Sequence, residues 1–172
     1  ISITVKPTNN CNMRCKHCYH AEEGFDNTMM KPDYAKKMFA IAANDYSEIF
    51  VVFHGGEPTL WGIENFTEVL EYQKKIASEK NVIFKNSIQT NGLLIDGKWI
   101  ELFKKYNFSV GISFDGPHND DLRSNSETVY KNMCCLKEKG INFGTLCVEN
   151  GLSIEHFENT YNWFKNEGFN FK

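Results

Sequence analysis

The segment Glu48-Ile-Phe-Val-Val-Phe-His-Gly-Gly-Glu-Pro58 decides the fold. After its first glutamate, the strand candidate at residues 48–53 is apolar throughout, as in a parallel strand covered on both faces. Two glycines and a proline then end the run. Beyond them, Phe66, Val69, Leu70, Gln73 and Ile76 follow the spacing of one buried helical face. Strand, tight turn and amphipathic helix make one βα unit.

The same unit recurs on either side. Further strands are predicted at residues 1–6, 82–89, 108–114 and 142–148, and a sixth begins at Phe169. Helical stripes lie between them: Ala35, Met38, Phe39 and Ala42, with Pro32 near the helix start, then Trp99, Phe103 and Tyr106. Val129, Met133 and Leu136 form another, and Ile154, Phe157, Tyr161 and Phe164 the last. Strands separated by single helices pair in parallel through right-handed crossovers, giving an α/β sheet or a barrel built like a TIM barrel. No linker, low-complexity tract or repeat beyond this alternation divides the chain, so one domain is expected over residues 1–172. It reads as incomplete, because ending on an unpaired strand exposes an edge. The missing initiator Met suggests trimming at the other end. In such folds the chemistry sits where strands end and loops begin.

Composition narrows the class. With 172 residues, 41% of them hydrophobic, the chain can bury a sizeable core. No apolar run approaches the ~20 residues of a membrane span, and the start lacks the pattern of a signal peptide. The net charge is −3, with 19 basic and 22 acidic residues mixed along the sequence, which gives nucleic acid no footprint. Of six cysteines, three crowd into positions 11–18, Cys134 and Cys135 are adjacent, and Cys147 sits in an apolar run. Without a secretory signal, a tight cluster reads as a metal site in a reducing cytoplasm.

The first strand runs through Pro7-Thr-Asn-Asn into Cys11-Asn-Met-Arg-Cys15-Lys-His-Cys18. Three thiolates in one loop can converge on a small inorganic centre, and such ligation suits zinc or iron–sulfur clusters. Structural zinc takes four protein ligands, and His17 or His20 could be the fourth. A [4Fe–4S] cluster held by three cysteines instead leaves one iron open for catalysis. Spacing alone leaves both readings, and unligated cysteines, open. At residues 54–58, the glycines permit close backbone approach to a ligand and Glu57 could accept from an ammonium group, yet an ordinary βα turn explains the same residues. Cys134 and Cys135 read as core or surface thiols, Cys147 as barrel core, and His20 and His156 as surface or loop residues. Asp115 either orients a substrate or caps the Gly116-Pro117 turn.

Four motifs now stand at four successive strand ends: Cys-x3-Cys-x2-Cys, Gly55-Gly-Glu-Pro58, Ser87-Ile-Gln-Thr-Asn-Gly92 and Gly111-Ile-Ser-Phe-Asp-Gly-Pro117. Together they resemble the radical S-adenosylmethionine (radical SAM) superfamily. Within it they are similar to anaerobic sulfatase-maturating enzymes and related peptide maturases with a C-terminal SPASM domain. The resemblance implies a partial TIM-like (β/α)6 barrel, truncated at the start of the sixth strand, without the sixth βα unit or a SPASM-like domain. It implies Cys11, Cys15 and Cys18 as ligands to three irons of a [4Fe–4S] cluster, with S-adenosyl-L-methionine chelating the fourth.

The cofactor-binding set it implies is His17, His54, Gly55, Gly56, Glu57, Pro58, Ser113, Arg123 and Asn150. Gly55, Gly56 and Glu57 would meet the methionine amino group, with Pro58 shaping the turn. Arg123 would pair with the carboxylate through its charged fork. Ser113 would contact the cofactor, Asn150 the ribose, and His17 would flank the adenine. Sulfatase maturases often carry Gln where His54 stands, whereas other peptide maturases carry His. The loop after Pro117 is shorter than usual, and Asn119 falls at a family His.

The implied reaction is reductive cleavage of S-adenosylmethionine to a 5′-deoxyadenosyl radical, which abstracts hydrogen from a peptide or protein. The product would be an oxidised Cys or Ser, or a thioether crosslink. An apolar barrel lining would exclude water, and a flavodoxin or ferredoxin would donate the electron. No side chain is singled out as catalytic. A small metabolite or cofactor precursor as substrate is the alternative, and a non-catalytic zinc module the more distant one.

Overall fold

The computed structural model describes all residues except 20–23, 150 and 152–153. Six strands, β1 (Ser2–Val5), β2 (Glu48–Phe53), β3 (Ile83–Thr90), β4 (Ser109–Ser113), β5 (Phe143–Leu146) and β6 (Asn170–Phe171), form one sheet. Every neighbouring pair is parallel, and the strands lie in chain order. Moving one strand over at each crossover is the topology of a TIM barrel rather than of a doubly wound sheet. Here the sheet is open, with β1 and β6 as its edges. The crossover helices are α1 (Pro32–Asp45), α2 (Ile63–Lys80), α3 (Gly97–Lys105), α4 (Ser126–Glu138) and α5 (Phe157–Glu167). Among the described residues, no helix is long and apolar enough to cross a membrane.

Alternation along the strands sends one set of side chains under the helices. Ile49, Val51 and Phe53 of β2, Ile88 of β3 and Ile112 of β4 are buried with Phe39, Phe66, Leu70, Phe103 and Leu136. Phe66 lies at the aromatic centre, its ring centroid 4.7 Å from Phe53, 5.2 Å from Trp99 and 5.4 Å from Trp61. Each such pair adds ~0.5–1.5 kcal/mol beyond simple burial. Gln73, read as part of an apolar stripe, is buried because Asn86 answers it: the two carboxamides exchange bonds of 3.1 and 2.8 Å.

The inner face is mixed, with polar side chains set into the expected apolar lining. Ser87, Gln89, Ser109, Gly111, Gly144 and Leu146 are among the residues around a cavity of about 370 Å³ on this face. Only the outer face is sealed by helices; on the inner one Ser87, Gln89 and two glycines stand beside apolar Val52, Leu146 and Phe171. The fifth strand is also shorter than predicted, because the Val148 N–H leaves the ladder to donate to Asp115 Oδ1 at 2.9 Å. Cys147 therefore packs against the core rather than lying fully inside it. It is half-buried beyond β5, its Sγ 3.7 Å from Glu149 Oε1.

Candidate active site

The cysteine loop is held by the turn after β2. The His54 N–H donates to Val5 O at 3.0 Å, the Gly56 N–H to Thr8 O at 3.0 Å, and the Glu57 N–H to Asn10 O at 2.7 Å. This backbone-to-backbone contact explains both glycines. A Cβ on Gly56 would stand 2.1 Å from Asn10 O, and one on Gly55 2.5 Å from Lys6 Cγ, where the φ of 123° already disfavours a side chain. The close approach read from sequence as one to a ligand is first of all an approach to the loop that carries Cys11.

Glu57, 1% exposed, ties this turn to the end of β3. Its Oε1 accepts from the Thr59 N–H (2.9 Å), the Thr59 hydroxyl (2.6 Å) and the Thr90 hydroxyl (2.7 Å), and its Oε2 from the Asn91 N–H at 2.8 Å. Burial pushes its carboxyl above the usual range, while these donors pull the other way. Oε2, with the Asn91 N–H as its one partner among the described residues, keeps more acceptor capacity than Oε1.

Asn91 was missed as a functional residue, although its motif was recognised. Its Nδ2 donates to Asn12 Oδ1 at 2.7 Å and points at Cys11 Sγ from 3.7 Å. Gln89 was missed too. Its Nε2 donates to Ser113 Oγ at 2.9 Å, and its Oε1 lies 2.3 Å from where a Cβ on Gly111 would be. Glycine at 111 is what lets Gln89 lie across β4 and hold Ser113. Polar side chains at the ends of alternating strand positions were the signal for both.

Arg123 and Asp115 form a buried pair, 8% and 4% exposed, joined by Nε–Oδ2 at 2.7 Å and Nη2–Oδ1 at 3.2 Å. Asp115 thus neither faces a substrate nor merely caps a turn: it orients the arginine. Nη1 reaches toward Cys15 Sγ at 4.0 Å. Burial raises the Cys11 and Cys15 thiols above the ordinary cysteine range, opposed at Cys15 by Arg123 and at Cys11 by the Met13 N–H. His17 is pushed below the ordinary histidine range by burial and then by Arg123, and its buried Nδ1 has no hydrogen-bond partner among the described residues. A neutral imidazole of this kind suits stacking on an aromatic ring.

Cys11, Cys15, Cys18, His17, His54, Gly55, Gly56, Glu57, Ser113 and Arg123 border one cavity of about 350 Å³. That lies within the ~300–1,000 Å³ of small-molecule sites. Pro58 instead opens the 3₁₀ turn Pro58–Trp61 behind it. Asn150 and His20 fall outside the described residues. His156 is at the surface end of the β5–α5 connection, its ring stacked on His118 at 4.0 Å.

The fold and site define a class, and comparison with known proteins agrees. The family model described as the Radical SAM superfamily matches residues 5–164, and the chain belongs to that family. It is 32% identical, over an alignment of 186 positions, to a cysteine-type anaerobic sulfatase-maturating enzyme of Clostridium perfringens, covering 99% of this chain and 50% of the relative. A serine-type anaerobic sulfatase-maturating enzyme of Bacteroides thetaiotaomicron is 29% identical, covering 95% of this chain and 43% of that protein. The solved structure of native anSMEcpe with bound AdoMet and the Cp18Cys peptide superposes with a TM-score of 0.90 at 30% identity, over 99% of this chain and 49% of that one. Streptococcus suis SuiB bound to S-adenosylmethionine shares the fold, with a TM-score of 0.75 at 18% identity over 99% and 39% of the chains. The chain spans about half the length of the curated relatives it matches.

The cofactors of this enzyme family are a [4Fe–4S] cluster and S-adenosylmethionine. The residues present fit them. Three half-buried thiols face one cavity, and N–H groups of Asn91 and Arg123 are aimed at two of the sulfurs. Among the described residues, no three Cys, His, Asp or Glu side chains are close enough to share one metal ion. A cluster, by contrast, takes each thiolate on a different iron.

Proposed function

We propose that the chain carries the catalytic site of a radical SAM peptide or protein maturase, with Cys11, Cys15 and Cys18 as the cluster ligands. The observation that carries this reading is the single cavity bordered by the three cysteines, Glu57, Ser113 and Arg123 at the C-terminal ends of the parallel strands. When bound, the cluster and S-adenosylmethionine supply a one-electron cleavage of the sulfonium to methionine and a 5′-deoxyadenosyl radical.

The protein's own part is orientation. Arg123, fixed by Asp115, presents Nη1 beside Cys15 and toward a carboxylate in the cavity. Glu57 Oε2 and the glycine turn meet an amino group. Ser113, held by Gln89, offers its hydroxyl, and neutral His17 flanks an adenine. Gln89 and Leu146 also border the inner-face cavity, so the two spaces adjoin. Ser87 and Gln89 on the inner surface suit the amide groups of a peptide, its apolar residues suit side chains, and a relative's solved structure holds a bound peptide. A flavodoxin or ferredoxin is the electron donor in this reading. Exposed Lys16 and Arg14 put positive charge on the cysteine loop, where an acidic carrier would dock.

The test uses the full-length protein, reconstituted anaerobically and reduced with S-adenosylmethionine and a Cys- or Ser-containing peptide deuterated at Cβ. Deuterium recovered in 5′-deoxyadenosine is the expected result. Label retained in every peptide, with 5′-deoxyadenosine formed, would redirect the reading to a small-molecule substrate.

A further inference from the structure

Asn91 stands at the end of β3, on a different element from the cysteine loop, and is 7% exposed. Its Oδ1 accepts the Leu93 N–H at 3.0 Å, which fixes the amide so that Nδ2, the donor, faces the loop. Nδ2 then spans Asn12 Oδ1 at 2.7 Å and Cys11 Sγ at 3.7 Å, while the Asn91 backbone N–H is bound by Glu57 Oε2 at 2.8 Å. The side chain is therefore held from several sides with a donor aimed at a sulfur.

Resting on the reading of Cys11 as a cluster ligand, we propose that Asn91 is a positioning residue that sets the cluster's reduction potential through its N–H···S bond to Cys11. One-electron reduction places more negative charge on the cluster and its thiolates. A hydrogen bond to a thiolate favours the reduced state and raises the potential. The Met13 N–H, 3.4 Å from the same sulfur, makes a similar contact from within the loop, and Arg123 reaches Cys15. Asn91 differs in joining the sulfur to the sheet. Through Glu57 it also joins the sulfur to the turn that meets S-adenosylmethionine in the proposed function. Electron acceptance and cofactor binding would thereby share one rigid connection.

The experiment is an EPR-monitored redox titration of the reconstituted full-length protein, with iron counted in each sample. N91A is expected to keep its iron and to shift the cluster's reduction equilibrium about tenfold toward the oxidised state, ~59 mV lower for a one-electron couple. N91D is isosteric and retains the bond from the Leu93 N–H, so it serves if N91A does not fold. Replacing the donor by a carboxylate oxygen should lower the potential at least as far. T59V cuts a different tie to Glu57 without touching the sulfur or the Asn91 turn, and its potential should stay at the wild-type value.

An unshifted potential in N91A and N91D, or an equal shift in T59V, overturns the proposal. So does loss of iron in both Asn91 variants beside a loaded wild type, which would make Asn91 a tie of the loop. A wild type that assembles no cluster overturns the ligand assignment instead.

Discussion

At the scale of single residues, the site depends on side chains held in place by buried partners. Asp115 is the clearest case, because its two oxygens hold the Arg123 fork in a buried pair. Removing one partner strands a buried charge, so Asp115→Ala should cost about 3–5 kcal/mol in denaturant unfolding. Arg123→Lys keeps the charge but loses the fork. It should weaken S-adenosylmethionine binding about tenfold by calorimetry, and unchanged affinity would remove Arg123 from the carboxylate site. The cysteines carry a pH dependence. Cys11 and Cys15 are raised by burial, and Cys147 is pushed up to about 12, chiefly by burial and then by Asp115. The apo-fold thus binds these protons more tightly than the unfolded chain. That stabilising effect is complete below the unfolded thiol range and is lost as pH rises through the folded values. Iodoacetamide labelling of apo-protein, followed by mass spectrometry across pH 7–10, should rise later for all three than in a denatured control. An earlier rise would contradict the burial described.

The decisive elements are two turns and the strands they abut. The glycines at 55 and 56 were legible from sequence as a close approach, but the partner was not. Sequence shows that a backbone must pass nearby, whereas only the paired registers of β1 and β2 show that it is residues 6–10. Gly56→Ala should therefore displace the cysteine loop. The expected outcome is iron incorporation reduced to a small fraction of wild type while the helical circular dichroism is retained, and full iron loading would refute it. Gly111→Ala acts at a distance: its methyl group should push Gln89 off Ser113. S-adenosylmethionine affinity should fall with iron content unchanged.

Across the whole molecule, the order of parallel strands was readable because each βα unit repeats the same switch from strand to helix periodicity. β2 was predicted to the residue, and β5 was not, because the Asp115 side chain competes with the ladder for the Val148 N–H. The mixed inner face was hidden for a similar reason. Ser87 and Gln89 point inward, but Asn86 just before them is polar as well, buried against Gln73 on the outer face, and this breaks the alternation that would reveal two faces. The cysteine cluster was legible from spacing and resemblance; that Asn91 aims a donor at Cys11, and that Arg123, named from the resemblance for another role, aims one at Cys15, was not. Those donors come from just past β3 and from the loop after β4, 80 and 108 positions away in the chain. The most direct test of the account is the EPR spectrum of the reduced, reconstituted full-length protein before and after S-adenosylmethionine is added, with iron measured on the same sample. It predicts about four irons per chain above any auxiliary cluster, a signal perturbed by the cofactor, and loss of both in Cys15→Ala. A spectrum indifferent to the cofactor, or one retained in Cys15→Ala, would contradict it.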